Sequence, residues 1–121
     1  MNKHPFVHIE ISARDRVTAS NFYSDLFGWK VTQMPEMDYA TFEADSGLGG
    51  GFSPIGPHNP PGSVIVYVDT DDIIASLDKA VRLGGKVMVP QTEIPGMGWF
   101  AIFSDPTGNQ LGLFKALMPE A

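Results

Sequence analysis

Residues 6–12 read FVHIEIS, and residues 63–68 read SVIVYV. Each stretch opens one half of the chain, and the same order of signals follows both. In the first, Val7, Ile9 and Ile11 alternate with Phe6, His8, Glu10 and Ser12, the two-residue period of a strand. Asp15 follows as a helix cap, its carboxylate placed to accept an orphan backbone N–H. The helix runs to about Phe27, with Val17, Phe22 and Leu26 read as its buried side. Gly28 supplies a left-handed stop. Residues 29–32 begin a second strand, and residues 39–44 (YATFEA) alternate as a third. A short fourth strand lies at 51–53, after a cluster of glycines at 47, 49, 50 and 51.

The second half repeats this order. Asp71 or Asp72 caps a helix carrying Ile73, Ile74, Leu77, Ala80 and Val81. Lys79 and Arg82 fall in its last turn, where the helix dipole favours cations, and Gly84 and Gly85 end it. Strands are read at 86–89, at 99–104 (WFAIFS) and at 110–114. The last of these follows the tight-turn sequence Asp105-Pro106-Thr107-Gly108-Asn109. Asp15 and Asp71, Gly28 and Gly84, and Lys30 and Lys86 are each 56 residues apart. A shared offset of this kind marks an internal repeat.

The fold predicted is α+β, with two βαβββ modules in a single domain over residues 1–121. Module one spans 6–53, a proline-rich linker (PIGPHNPPG) spans 54–62, and module two spans 63–115. One helix covers one sheet face of each module and leaves the other open. Two such open faces turned together give a partly closed, roughly eight-stranded barrel-like sheet with a helix packed outside each module. Concave sites of this kind favour small ligands.

Composition narrows the chemistry. The chain has 121 residues, no cysteine, and a net charge of −6 from 14 acidic and 8 basic residues. Disulfides, thiolate metal sites and a cysteine nucleophile are excluded. The negative charge and scattered basic residues argue against nucleic acid as a partner. No apolar run approaches the roughly 20 residues of a membrane span. The N-terminal residues show no basic segment followed by an apolar one, so a cytoplasmic location is expected. There is no phosphate-binding loop and no nucleophile elbow.

Taken in order, the pieces His8-Ile9-Glu10-Ile11, Asp15, Phe22-Tyr23 and Phe27-Gly28-Trp29 are similar to the vicinal oxygen chelate superfamily, the glyoxalase, bleomycin-resistance and dioxygenase fold. Val68-Asp69, Leu83-Gly84-Gly85-Lys86-Val87 and 105–109 continue the resemblance through residues 6–115. Catalytic members hold a divalent metal with four side chains, taken from the first and last strands of each module. His8 falls on the first such position. The strand near 51–53 offers no carboxylate or imidazole, Ser63 stands where the family often has histidine, and Gly112 stands where its final glutamate is expected. A catalytic divalent ion needs three or more protein donors. The resemblance therefore implies a glyoxalase-like branch without a catalytic metal and without another cofactor.

The expected site centres on His8 and Glu10, two residues apart on one strand face and able to hold a proton for acid–base work. Phe52, Ser63, Tyr67, Trp99, Phe103 and Phe114 are the expected ligand-binding residues, since aromatic walls suit flat or apolar ligands. Trp29 is read as core. The loop Gly96-Met97-Gly98 reads either as a lid or as a plain connection. The function expected is small-molecule binding around His8 and Glu10. The alternatives are a metal-dependent lyase, isomerase or dioxygenase with His8 as a ligand, or a metal-free acid–base enzyme. The resemblance also implies a homodimer.

Overall fold

The computed structural model describes residues 2–44 and 47–117. Its elements are β1 (Phe6–Ala13), α1 (Arg16–Phe27), β2 (Lys30–Met34), a 3-10 turn (Pro35–Met37), β3 (Tyr39–Glu43), β4 (Gly50–Pro54), β5 (Val64–Asp69), α2 (Ile73–Arg82), β6 (Lys86–Ile94), β7 (Gly98–Ser104) and β8 (Gln110–Ala116). The order βαβββ occurs twice, as the repeat requires, and the class is α+β. Contacts group the chain into two compact units. One is His8–Val66; the other is Met1–Val7 with Tyr67–Ala121. No helix among the described residues is long and apolar enough to cross a membrane.

In the unit 8–66 the strands lie in the order β2-β3-β4-β1. β2 and β3, and β3 and β4, pair antiparallel, while β1 runs parallel to β4 with Glu10 opposite Gly51. Helix α1 starts where Asp15 accepts from the N–H groups of Val17 and Thr18, and ends at Gly28 with φ of 74°. There the Gly28 N–H closes on the Ser24 carbonyl at 2.8 Å. The core beneath it is built of rings. Phe42, Phe52, Ala13 and Ala40 are buried, with Tyr23, Trp29, Ala19 and Val31 packed against them. Trp29 stacks on Phe42 at 4.7 Å and on Tyr23 at 5.5 Å. Trp29 is thus core, as its place beside the helix stop suggests.

The inward side of α1 corrects the sequence reading. Val17, Phe22 and Leu26 are 47%, 58% and 56% exposed, while Ser20 is 3% exposed. Ala19, Ser20 and Tyr23 make up the inward side instead, Tyr23 stacking on Phe52 with ring centroids 5.5 Å apart. Ser20 binds the Arg16 carbonyl at 2.6 Å and receives Gln33 Nε2 at 3.0 Å, which removes the cost of burying its hydroxyl.

In the unit formed by residues 67–117 and the N-terminal segment, β8 lies between β5 and β7, and β6 is outermost. β5 runs parallel to β8; β7 runs antiparallel to both β6 and β8. Asp72 caps α2 by accepting from the Ala75 N–H at 3.0 Å. Asp71 does not cap; it receives Asn2 Nδ2 at 3.2 Å. The capping residues are therefore 57 apart while the stops Gly28 and Gly84 remain 56 apart. Ile73 and Leu77 are buried with Ala101 and Leu113, whereas Ile74 and Val81 are exposed, so only part of the expected apolar stripe of α2 points inward.

Strand β6 runs on through Pro90 to Ile94, past the expected end at Val89, with register shifts between Val87 and Val89 and between Val89 and Thr92. An outermost strand with bulges tolerates a proline, because one side needs no ladder donor. The segment 94–98 is a tight turn joining β6 to β7. Met97 N–H meets the Ile94 carbonyl, the Met97 carbonyl receives Leu117 N–H at 2.9 Å, and Gly98 already pairs within β7. The plain connection is thus what this loop forms. Residues 55–62 are pinned as well: Asn59 Nδ2 donates to the Pro54 carbonyl at 2.6 Å, and Ser63 N–H to the Pro60 carbonyl at 3.0 Å.

Candidate functional site

Alternation along the strands of the unit 8–66 sends Ile11, Ala13, Ala40, Phe42 and Phe52 toward α1. The residues between them, His8, Glu10, Tyr39 and Gly51, share the opposite face. That face carries a three-member hydrogen-bonded group. His8 Nε2 lies 2.7 Å from Tyr39 Oη, and Tyr39 donates to Glu10 Oε2 at 3.1 Å. The His8 and Tyr39 rings are stacked, 19° from parallel with centroids 6.4 Å apart. All three residues are half-buried.

The hydrogen count gives this group a direction. A phenol has one proton. With that proton on Glu10, the bond to His8 requires the proton of the imidazole to sit on Nε2. Burial lowers the His8 pKa below the ordinary histidine value, so the ring is neutral at neutral pH. The sequence reading found His8 and Glu10 and missed Tyr39, which ties them together. The signal available for Tyr39 was its place at the head of an alternating strand that faces a run of glycines.

The remaining expected ligand-binding residues divide by face. Phe52 is fully buried under α1 and faces away from His8. Trp99 and Phe103 pack against the Ile73, Leu77, Ala101 and Leu113 cluster on the α2 side, which corrects their expected place on the open face. Lys115 Nζ stands 6.0 Å from the Trp99 ring centroid. Phe103 also lines a cleft of about 340 Å³ with Val68, Lys79, Leu83 and Pro106. Ser63 precedes β5, and its backbone joins elements: its carbonyl accepts the Ser12 N–H at 3.1 Å.

Tyr67 and Phe114 do lie on the face of their unit opposite α2. Tyr67 is opposite Gly112 in register, and Phe114 is opposite Phe100. Tyr67 meets Phe100 edge-on at 6.4 Å. Phe100 belongs with this aromatic group and was absent from the sequence reading.

Among the described residues no three or more His, Asp or Glu side chains are gathered to hold a metal. Of the positions that the resemblance marks for donors, only His8 carries one. Gly51 and Gly112, on the last strand of each module, lie under tyrosine rings: a Cβ at Gly51 would overlap Tyr39, and one at Gly112 would overlap Tyr67.

A family model described as "Glyoxalase/Bleomycin resistance protein/Dioxygenase superfamily" matches residues 6–113. CFP32 of Mycobacterium tuberculosis, which carries a provisional glyoxylase name, is 31% identical over 115 residues, covering 89% of this chain and 44% of that protein. The anthracycline biosynthesis protein DnrV of Streptomyces peucetius is 28% identical over 123 residues, covering 88% of this chain and 45% of its own length. The chain thus spans under half the length of these curated relatives. Among solved structures, methylmalonyl-CoA epimerase from Mycobacterium tuberculosis matches with a TM-score of 0.71 at 11% identity, over 97% of this chain and 90% of that one; at this identity the likeness speaks to the fold. With the family match spanning both modules, the chain belongs to the glyoxalase, bleomycin-resistance and dioxygenase superfamily.

Proposed function

We propose that this chain is a small-molecule-binding domain of its superfamily that works without a catalytic metal, and that His8, Tyr39 and Glu10 form its polar recognition group. The observation that carries the reading is the phenol of Tyr39, hydrogen-bonded to His8 on one side and Glu10 on the other. Such a group presents a neutral imidazole, a hydroxyl and a carboxylate within one hydrogen-bonded network. It suits a ligand with a carbonyl or hydroxyl to bind. The donor set does not fit a catalytic divalent ion, because such an ion needs three or more protein ligands.

The second unit offers an aromatic face, Tyr67 with Phe100 and Phe114, that suits a flat ring system. Similarity to a protein named for anthracycline biosynthesis agrees with a planar polycyclic ligand. A homodimer belongs to this reading: a second copy would bring the assembly near the length of CFP32 and DnrV. A cytoplasmic location is kept in this reading.

A second reading, metal-free acid–base catalysis, is favoured by the lowered His8 pKa, which leaves a neutral imidazole ready to accept a proton. Thermal-shift and calorimetric titration with planar hydroxyquinones, beside metal analysis of the purified protein, tests the proposal. Binding should weaken roughly 5- to 10-fold in Tyr39→Phe, the worth of one hydrogen bond of about 1 kcal/mol. Stoichiometric zinc, nickel, iron or manganese in the pure protein would overturn the metal-free reading. Turnover of a bound compound that is lost in His8→Ala would select the catalytic one.

A further inference from the structure

The ring of Tyr39 starts on β3 and crosses β4 to reach His8 and Glu10 on β1. The residue it crosses is Gly51, which the register sets between Thr41 and Glu10. A Cβ at Gly51 would overlap Oη, Cζ and Cε2 of Tyr39. The other unit has a related seating, with the tyrosine on the module's first strand instead of its third. Tyr67 on β5 lies across Gly112 on β8, where a Cβ would overlap Cγ, Cδ2 and Cε2 of the ring, and it meets Phe100 on β7 beyond.

Neither glycine has a positive φ, so backbone conformation does not explain the choice of glycine at these positions. Neighbouring glycines answer to a different constraint. A Cβ at Gly50 would strike the Ile9 carbonyl oxygen, and one at Gly49 would stand 2.7 Å from the Phe42 carbonyl oxygen. Those two let main chains approach each other. Gly51 and Gly112 instead make room for a tyrosine, once in each module and each time on the module's last strand.

We propose that Gly51 and Gly112 are positioning residues, each seating a tyrosine ring across the last strand of its module. Gly51 thereby fixes the point at which the Tyr39 hydroxyl meets His8 and Glu10. At Gly112, where the resemblance places a glutamate, the space that a carboxylate would take is filled by the ring of Tyr67. The importance of Gly51 for binding rests on the function proposed above. The seating itself is testable without any ligand, so the two ideas fail separately.

The test joins NMR to a mutant cycle. In the intact protein, Gly51 Hα should show cross-relaxation to the Tyr39 ring, and Gly112 Hα to the Tyr67 ring, with both Hα resonances shifted by the ring currents. Gly51→Ala should lower Tm by roughly 10 °C, an overpacking effect in a domain of this size. It should also abolish the contact between the Tyr39 and His8 rings. In a Tyr39→Ala background the alanine at 51 should be tolerated, with no further loss of Tm. Gly50→Ala should gain no such relief, because its obstacle includes main chain.

If Gly51→Ala alone does not fold, the double variant decides. Folding of Gly51→Ala with Tyr39→Ala supports the proposal. Failure to fold where Tyr39→Ala alone folds overturns it, as would absent glycine–ring cross-relaxation or additive losses of Tm.

Discussion

In the unit 8–66, α1 sets Tyr23 and the small side chains Ala19 and Ser20 against a sheet that raises Phe42 and Phe52, with Trp29 stacked at its edge. In the unit of residues 67–117, α2 lowers Ile73 and Leu77 onto Ala101 and Leu113. The element order is the same, but one interface is a stack of rings to which helix and sheet both contribute, while the other sets the aliphatic Ile73 and Leu77 of the helix against Leu113, Trp99 and Phe103 of the sheet. Packing to native density requires only that facing volumes sum correctly. A repeat can therefore keep its topology while the residues that fill the space between its layers change from rings to aliphatic side chains. The open faces differ as well: His8, Tyr39 and Glu10 in one unit, Tyr67, Phe100 and Phe114 in the other.

The largest effect expected from this contrast is in the ring core. Phe52 touches both Tyr23 and Phe42, with centroids 5.5 Å and 5.0 Å away. Phe52→Ala should cost about 4 kcal/mol, against about 3 kcal/mol for Leu77→Ala under α2. Denaturant unfolding of the two variants measures the difference. A clearly larger loss at Leu77 would mean that the ring stack is not the more heavily packed of the two interfaces. Ser20→Leu sharpens the comparison further, since a large side chain on α1 should destabilise by about 1–3 kcal/mol through overpacking.

Those same volumes show where the sequence was legible. Strand alternation, the Asp15 cap and the Gly28 stop are local effects, and they gave the element order of both modules. The inward face of α1 is not local. Val17, Phe22 and Leu26 carry more apolar weight than Ala19 and Ser20, yet the turn of the helix that meets the sheet presents Ala19, Ser20 and Tyr23. WFAIFS has rings on both of its faces, so alternation alone did not separate Phe100 from Trp99 and Phe103. Phe52 was equally ambiguous, because its neighbour Gly51 has no side chain to mark the other face. Of the candidate site, His8 and Glu10 were legible as ionisable residues on one strand face. Tyr39 joins them only across β4, a step that depends on register.

Helix caps give a smaller and cleaner comparison. Asp15→Ala and Asp72→Ala should each cost about 1 kcal/mol, as an N-cap carboxylate usually contributes. Asp71→Ala should change stability by about 0.5 kcal/mol or less, the usual range for an exposed substitution. Thermal unfolding of the three variants checks whether the caps are 57 residues apart or 56. A loss at Asp71 equal to that at Asp72 would restore the uniform offset.

The smallest effects are those of pH, and they fall in two windows. His8 has its folded pKa lowered from 6.5 by burial. The unfolded chain then binds more protons than the folded one as pH falls below 6.5, so stability drops through that window. Asp105 is exposed, and hydrogen bonds from the Asn109 backbone, the Asn109 side chain and Thr107 lower its pKa from 3.8 to about 2. Its contribution is present above 3.8 and is lost as pH falls through about 2. Denaturant midpoints followed from pH 8 to pH 2 should therefore show two declines. His8→Gln should flatten the upper one and leave the lower intact, while Asp105→Ala should weaken the lower one only in part, because hydrogen bonds from the Thr18 and Val17 backbone also lower the pKa of Asp15. An upper decline that survives His8→Gln would mean that burial of this imidazole does not govern the acid response of the unit 8–66.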